Sequence, residues 1–411
     1  MRRAAADPAM RLVHLSDLHL GFRQYQRLTP TGVNQREYDV SRTFGRVVDQ
    51  VIARRPDVVV VAGDVFHAVR PSNPAILFAF QQLAKLRAAL PDAPVVMVAG
   101  NHDAPKTSET GCILRLFREL GVHVADDQPQ RFDFPGHDLS VLAVPDAPNM
   151  QRPAFDPDPS ARWNVLLVHG EVEGILPKDV APVDRAVIEI TTEELRAPEW
   201  SYVALGHYHV YREVAPNAYY SGSIDYTSAN AWGERDEERA ARLPGKGFVE
   251  RDLATGAHTF HPIPASRELV ELPEVSARGM SAAEVDAAIR SAVESHPGGI
   301  EERVVRLAVR DIPRHIAREL DHRMLREYRR RALHFHLLTH KPDVQRRDAS
   351  GAPTRRPSLP DIVREKLRTR LLPSDVDRDA LVALGLRYLE EAEALVAVEV
   401  APAAVAAEDG E

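Results

Sequence analysis

In Val95-Val96-Met97-Val98-Ala99-Gly100-Asn101-His102-Asp103 an apolar strand runs into a glycine and then into three polar residues. Gly100 lets the backbone turn sharply and approach a ligand closely. The Asn101 amide oxygen is a hard, neutral metal ligand, and His102 can hand a proton to a leaving group. Alone, such a cluster is most often a solvated turn. Here four other apolar strands end in the same way: 11–16 into Asp17 and His19, 58–62 into Gly63-Asp64, 165–168 into His169-Gly170, and 202–205 into Gly206-His207-Tyr208-His209. In open α/β sheets ligands bind just outside the carboxyl ends of the strands.

Between these strands the pattern is helical. Residues 36–55 place Val40, Phe44, Val47, Val48, Val51 and Ile52 on one stripe, and helices are also expected over 74–90 and 108–120. Strands are expected at 139–144, 219–224 and 247–253, with a charged loop over 228–246. Strands that alternate with helices early and then follow one another closely indicate a layered α/β sandwich, not a simple doubly wound sheet. A second unit begins near 262, with a helix opened by the Ser281–Glu284 capping box, a strand at 303–311, a basic helix at 314–331 and a strand at 332–338. The domain division expected is a disordered extension at 1–9, a first domain at 10–255, a second at 262–341, a Pro/Arg/Gly/Ser-rich linker at 342–360, a helical pair within 361–396 and a disordered tail at 397–411.

The 411 residues, 44% hydrophobic and 27% charged, describe a soluble globular protein of two domains with an appendage. No apolar run approaches the roughly 20 residues of a membrane span, and Met1-Arg2-Arg3-Ala4 is not followed by a signal-peptide core. Met10 directly precedes the first strand, so residues 1–9 are an extension or a misplaced start. A single cysteine, Cys112, excludes an intramolecular disulfide framework and fits a reducing cytoplasm; it is expected as a small hydrophobe. The net charge of −8 argues against a uniformly basic nucleic-acid binder.

The strand-end inventory is carboxylate, amide oxygen and imidazole, with no thiolate. That mixture suits manganese, iron or zinc in a catalytic site better than a structural zinc. Two metals about 3.5–4 Å apart can share one carboxylate and clamp both oxygens of an in-line phosphoryl displacement. Asp17, His19, Asp64, Asn101, His169, His207 and His209 supply the seven ligands such a pair requires, leaving His102 for proton transfer.

Asp17-x-His19, Gly63-Asp64, Gly100-Asn101-His102-Asp103, Val168-His169-Gly170 and Gly206-His207-x-His209 resemble the five signatures of the calcineurin-like metallophosphoesterases. Within that superfamily the segments 14–21, 62–67 and 220–223 look like the SbcD-type nuclease subunit of the SbcCD DNA-repair complex, strongly over 10–255 and by layout beyond. The Val-Asp-Arg-Gly that follows the second-motif aspartate in the superfamily's protein phosphatases is absent. The resemblance implies a four-layer α/β/β/α sandwich, a smaller α+β capping domain that holds DNA, and a C-terminal helical pair. It implies two divalent ions, Mn2+ first, with Mg2+, Fe2+ or Zn2+ as alternatives. Asp17, His19 and His209 would hold one ion, Asn101, His169 and His207 the other, and Asp64 would bridge them. His102 would protonate the leaving 3′ oxygen, and His67 matches a second histidine near the scissile phosphate. His14 is expected in packing, and His334-Phe335-His336 as one face of a strand.

Residues 303–356 hold fifteen Lys/Arg against six Asp/Glu, including Arg326, Arg329, Arg330, Arg331, Arg346, Arg347, Arg355 and Arg356. A phosphate backbone would be attracted to such a patch. By resemblance it belongs to a cap over the metals, so Arg326, Arg329, Arg330 and Arg331 are the candidate DNA contacts. The tail helices, expected at 361–371 and 376–395, expose Ile362, Val363, Leu367 and Leu371, then Leu381, Leu384, Leu389 and Leu395. The family implies that they dock onto the coiled-coil base of an SbcC-type ATPase, and that the chain forms a homodimer and acts in the cytoplasm at the nucleoid. The function expected is exonuclease action on duplex ends and endonuclease action on hairpins or single strands. The competing readings are a phosphodiesterase of small phosphoesters, which has no use for the basic cap and tail, and a DNA-end-binding scaffold.

Overall fold

The computed structural model describes residues 10–105, 111–175, 186–342, 358–370 and 377–399, with side chains up to 390. It divides into two compact units, residues 1–340 and 341–411.

The first unit is built on two six-stranded sheets. The first sheet runs in the order His258–Pro262, Gly247–Asp252, Arg11–Leu15, Val58–Val61, Val95–Val98, His123–Ala125. Its last four strands are parallel, with Leu15 opposite Val61 and Val61 opposite Met97, so their carboxyl ends lie along one edge. The second sheet runs Arg212–Ala215, Ala218–Tyr220, Tyr202–Gly206, Trp163–His169, Leu139–Val144, Gln130–Phe134. Gly206 pairs with His169 there, which brings the fourth and fifth strand ends side by side.

Strand side chains alternate between faces, and here both faces are apolar because both are covered. Leu12, Val58, Val60, Val96 and Val98 of the first sheet meet Val141, Ala143, Val165, Leu167 and Ala204 of the second. The opposite face of the first sheet, with Val13, Leu15, Val59, Val61 and Met97, is covered by the helices Gln35–Arg54 and Asn73–Ala89 through Val40, Phe44, Val47, Ala79 and Leu83. Asn34 and Ser72 cap those helices by accepting from the backbone N–H groups of Arg36 and Ala75. The outer face of the second sheet packs on Phe155, Leu195 and Trp200, from irregular chain, a short helix Thr192–Leu195 and a 3-10 turn. The four layers are therefore unequal.

A third sheet centres on Val304–Arg310, with Leu269–Glu271, Val275–Ser276 and His334–Thr339 parallel to it. Helices Ala282–Glu294 and His322–Arg331 cover it through Val285, Ile289, Val293, Met324, Leu325 and Tyr328. Leu269, Val304 and Leu333 pack on Tyr25 and Tyr226, in loops of the first two sheets, and on Trp232 of a short helix. Arg306 lies 4.4 Å over the Trp232 ring, and Arg267 pairs with Asp39 at 2.8 Å.

Several expectations need correction. The 228–246 stretch is not all loop: Ala231–Ala240 is a helix, capped by Asn230. The basic 314–331 segment is two helices, Arg314–Glu319 and His322–Arg331, because the Asp321 carboxylate accepts from the N–H groups of Arg323 and Met324 and restarts the chain there. The strand expected at 219–224 ends at Tyr220, before Gly222 at φ 75°. The first sheet continues to Pro262, past the expected boundary at 255. Only Ile113–Leu120 of the 108–120 helix is described as helical, as a 3-10 segment; 106–110 lie outside the described residues.

In the second unit, Leu359–Thr369 and Arg378–Glu399 are helices, the first opened by a Ser358–Asp361 capping box. They meet at Gly385, where a Cβ would lie 2.6 Å from Leu367 Cδ1. Leu359, Ile362, Leu384 and Tyr388 are exposed. Residues 1–9, Arg346, Arg347, Arg355, Arg356, Leu371, the Leu395 side chain, and the tail from 400 on lie outside the described residues.

Candidate metal centre

The strand ends turn toward one another through strained backbone. Asp17 (φ 52°), His19 (φ 46°), Asp64 (φ 50°) and His207 (φ 107°) all occupy positive φ, which costs of order 1–3 kcal/mol each and marks functional sites when observed. Cross-loop hydrogen bonds hold this geometry: Asp17 N to Gly63 O (3.0 Å), His19 N to Asp64 O (2.9 Å) and Leu20 N to Val65 O (2.9 Å). Glycine is required where the loops touch. A Cβ on Gly100 would overlap the Asp64 carboxylate, and one on Gly206 would overlap the Ala62 carbonyl oxygen.

Two groups of donors result. In the first, His19 Nε2 and His209 Nε2 are 2.9 Å apart, with Asp17 Oδ1 4.0 Å from the latter. In the second, Asn101 Oδ1 lies 3.0 Å from His169 Nε2 and 3.3 Å from His207 Nδ1. Asp64 Oδ2 sits between them, 3.7 Å from His19 Nε2 and 3.6 Å from His169 Nε2. All seven candidate ligands thus converge, and the mixed oxygen and nitrogen set fits a pair of divalent cations.

The outer nitrogens of the histidines carry the partners a ligating imidazole needs. His169 Nδ1 faces the Ala62 carbonyl (2.8 Å), His207 Nε2 faces Glu171 (3.2 Å) and His209 Nδ1 faces Glu234 (3.1 Å). Each therefore turns its other nitrogen inward. Burial, then the charges of His209, His102, His67 and His169, hold His19 well below the ordinary imidazole range, which keeps its lone pair available. Burial works against the anion at Asp64, but His169 and His102 outweigh it and the carboxyl is lowered. At His207 burial is likewise outweighed, by Glu171, Asp64 and Asp17, and the imidazole is raised.

His102 and His67 stand beside this set. Their rings stack with centroids 5.3 Å apart, and His67 Nδ1 is 3.3 Å from His19 Nδ1. The His102 backbone N–H donates to Asp64 Oδ1 (2.9 Å), and its Nδ1 faces the His67 carbonyl at 2.9 Å. A carbonyl only accepts, so Nδ1 keeps its proton and Nε2 is the nitrogen that gains or loses one.

Residue type and position did not single out the supporting shell. Asp103 accepts from the N–H groups of Val65, Phe66 and Gly100 and ties the second loop to the third; burial and the Asp64 charge push its carboxyl up to about 8. Glu171 directly follows His169-Gly170, so adjacency was a usable signal. Glu234 and Lys246 carried none: they lie 25 and 37 residues from His209, in a stretch expected to be loop. His14 is buried between the sheets, bonded to the Tyr202 hydroxyl at 3.1 Å and lowered to about 3 by burial. Cys112 is buried with its thiol pushed up to about 12, as befits a packing residue.

Arg326 and Arg329 are exposed on the helix His322–Arg331, with no ion pair among the described residues. Arg330 pairs with Glu327 (2.7 Å) and Arg331 with Glu301 (2.8 Å). His334 stacks on Tyr25 with centroids 4.0 Å apart. Among the described residues no helix is long and apolar enough to cross a membrane.

Comparison with known proteins finds DNA-repair proteins among the relatives. The DNA double-strand break repair protein Mre11 of Methanococcus maripaludis is 26% identical over 260 residues, 60% of this chain and 63% of that protein. Mre11 of Sulfurisphaera tokodaii is 28% identical over 209 residues, 49% of each, and that of Methanocaldococcus jannaschii 26% over 253, covering 60% and 63%. The chain thus spans less than two thirds of the length of each. The sequence pattern described as calcineurin-like phosphoesterase matches residues 10–231. That span is more than half of the chain, starts at the residue before the first strand and takes in all seven converging donors, and the chain belongs to the calcineurin-like phosphoesterase family.

Proposed function

We propose that this chain is a two-metal phosphodiesterase that cleaves DNA, acting as the nuclease partner of an SbcC-type coiled-coil ATPase in double-strand-break repair. The observation that carries the reading is the Asp64 carboxylate lying between two donor groups, with His102 hydrogen-bonded to it. Asp17, His19 and His209 would hold one ion and Asn101, His169 and His207 the other, with Asp64 shared. When bound, such a pair, Mn2+ first, supplies charge to both the attacking and the leaving oxygen of an in-line displacement. His102, with Nδ1 committed to a carbonyl, delivers a proton from Nε2 to the leaving 3′ oxygen, and His67 stands next to it to orient the phosphate. The relatives' names support DNA as the substrate, as does the basic helix that carries Arg326, Arg329, Arg330 and Arg331. In the same reading the third sheet is a DNA-binding cap, the chain forms a homodimer inside the cell, and the helical pair lays its exposed leucines into a groove of the ATPase.

The test is Mn2+-dependent cleavage of a labelled duplex and a hairpin by the full chain, beside a generic aryl phosphodiester. Loss of one general acid lowers rates by about 10²–10⁴-fold, so His102→Ala is expected to fall by that much and Asp64→Ala to background. Aryl ester turnover with DNA left intact, even after the ATPase partner is added, would replace this reading by a small-molecule enzyme.

A further inference from the structure

The geometry points to Lys246 and Glu234 as positioning residues: a buried charge clamp on His209 that sets the affinity of one metal position, that of Asp17, His19 and His209, and not the other. The inference rests on the two-metal reading of the site.

Glu234 uses its two oxygens separately. Oε1 is 3.1 Å from His209 Nδ1, and Oε2 is 2.6 Å from Lys246 Nζ. The same ammonium donates to the backbone carbonyl of His209 at 2.8 Å. One cation therefore holds His209 at two points, directly through its backbone and through Glu234 at its ring. Lys246 Nζ also pairs with Glu238 at 3.0 Å and lies 4.7 Å over the Tyr226 ring, whose hydroxyl donates to Glu238. The Lys246 side chain is 1% exposed and that of Glu234 11%.

Burying three charges is costly unless they are paired and given a task. Two carboxylates and one ammonium leave one net negative charge behind the His209 ring. That charge is satisfied when a cation sits at the ring's other nitrogen, Nε2, which faces His19 and Asp17. With Nδ1 committed to Glu234, the proton sits on Nδ1 and the lone pair on Nε2. The second metal position has no share in this arrangement: His169 is oriented by the Ala62 carbonyl and His207 by Glu171. The clamp also has a purely structural competitor, the pinning of the helix Ala231–Ala240 to the strand Gly247–Asp252, so the test must read metal and not stability.

The full chain, stripped with a chelator, is titrated with Mn2+ while free Mn2+ is counted by electron paramagnetic resonance. The unsubstituted chain is expected to bind two ions. Glu234→Gln, nearly isosteric, is expected to keep one affinity and weaken the other by about 10–100-fold, the usual effect of removing a ligand's outer partner. Lys246→Met is expected to change the affinity of the same ion and leave the other unchanged, and to add little in the Glu234→Gln background, because the ammonium acts on the ring largely through Glu234. Two affinities unchanged in Glu234→Gln, or both lowered alike, would overturn the inference even if thermal stability dropped. Should Lys246→Met not fold, Glu234→Gln decides alone. Normal binding of two ions without DNA cleavage, even with the ATPase partner added, would sink the nuclease reading and leave the clamp to be decided by Glu234→Gln; fewer than two ions in the unsubstituted chain would overturn both.

Discussion

At position 206 the strand end of the facing sheet leaves room for a hydrogen and nothing more. A Cβ there would overlap the carbonyl oxygen of Ala62, which also accepts from His169 Nδ1. Backbone inside a paired sheet cannot yield as the end of a side chain can. Gly206→Ala is therefore expected to cost about 1–3 kcal/mol by overpacking and to displace His207 and His209, lowering Mn2+ affinity. Thermal unfolding and metal titration check it, and unchanged affinity would show that the strand end is not held as tightly as the register implies. The seven converging donors could be named from the sequence because each has a ligating side chain directly behind an apolar run. The strain they carry could not, since Asp17, His19, Asp64 and His207 adopt positive φ only because neighbouring loops hold them there.

The helix Gln35–Arg54 is joined to the segment after Tyr220 by a buried ion pair, Arg36 to Asp225 at 3.0 Å, with Thr43 donating to the same carboxylate at 2.8 Å. Burial works against the Asp225 anion, but Arg36 and these hydrogen bonds outweigh it and lower its carboxyl. A folded-state value below the unfolded one means the contribution is present above about pH 4 and is lost as pH falls through the folded value. Asp225→Asn is expected to lose about 3 kcal/mol near pH 7, toward the low end for a broken buried pair because Asp39 still stands 3.6 Å from Arg36. That gap should narrow on acidification, when the native carboxyl is protonated as well. Denaturant unfolding at pH 7 and pH 3 measures it, and a pH-independent gap would contradict the assignment. Helices with a clear apolar stripe, such as this one, were readable from spacing. The helix Ala231–Ala240 was not, because charged residues dominate it and its burial comes from ion pairs to Lys246 and from Trp232 under Arg306.

Across the whole molecule a chain of net charge −8 carries its positive excess in and beyond the third sheet. That sheet packs Leu269, Val304 and Leu333 against Tyr25 and Tyr226, in loops near the first and last strand ends, and Trp232 of the helix Ala231–Ala240, so its helices are fixed relative to the metal centre by contact. This arrangement was invisible in the sequence, where the sheet's partners lie up to several hundred residues away and no local pattern joins them. If the helix His322–Arg331 tracks a phosphate backbone, its arginines should not contribute equally. Each phosphate neutralised by a cation adds close to one unit to the salt dependence of binding. Arg330 and Arg331 already spend charge on Glu327 and Glu301, whereas Arg326 and Arg329 are exposed without an ion pair among the described residues. Replacing Arg326 and Arg329 together by alanine is expected to lower the slope of log affinity against log salt by about 2, uniformly across sequences. Replacing Arg330 and Arg331 should change it less, because a freed glutamate partly offsets each loss. Fluorescence anisotropy of a labelled duplex over a salt series, with the Asp64→Ala chain to prevent cutting, reads both. An unchanged slope in the first pair would take this helix off the path of the DNA and return the basic excess to ordinary solvated surface.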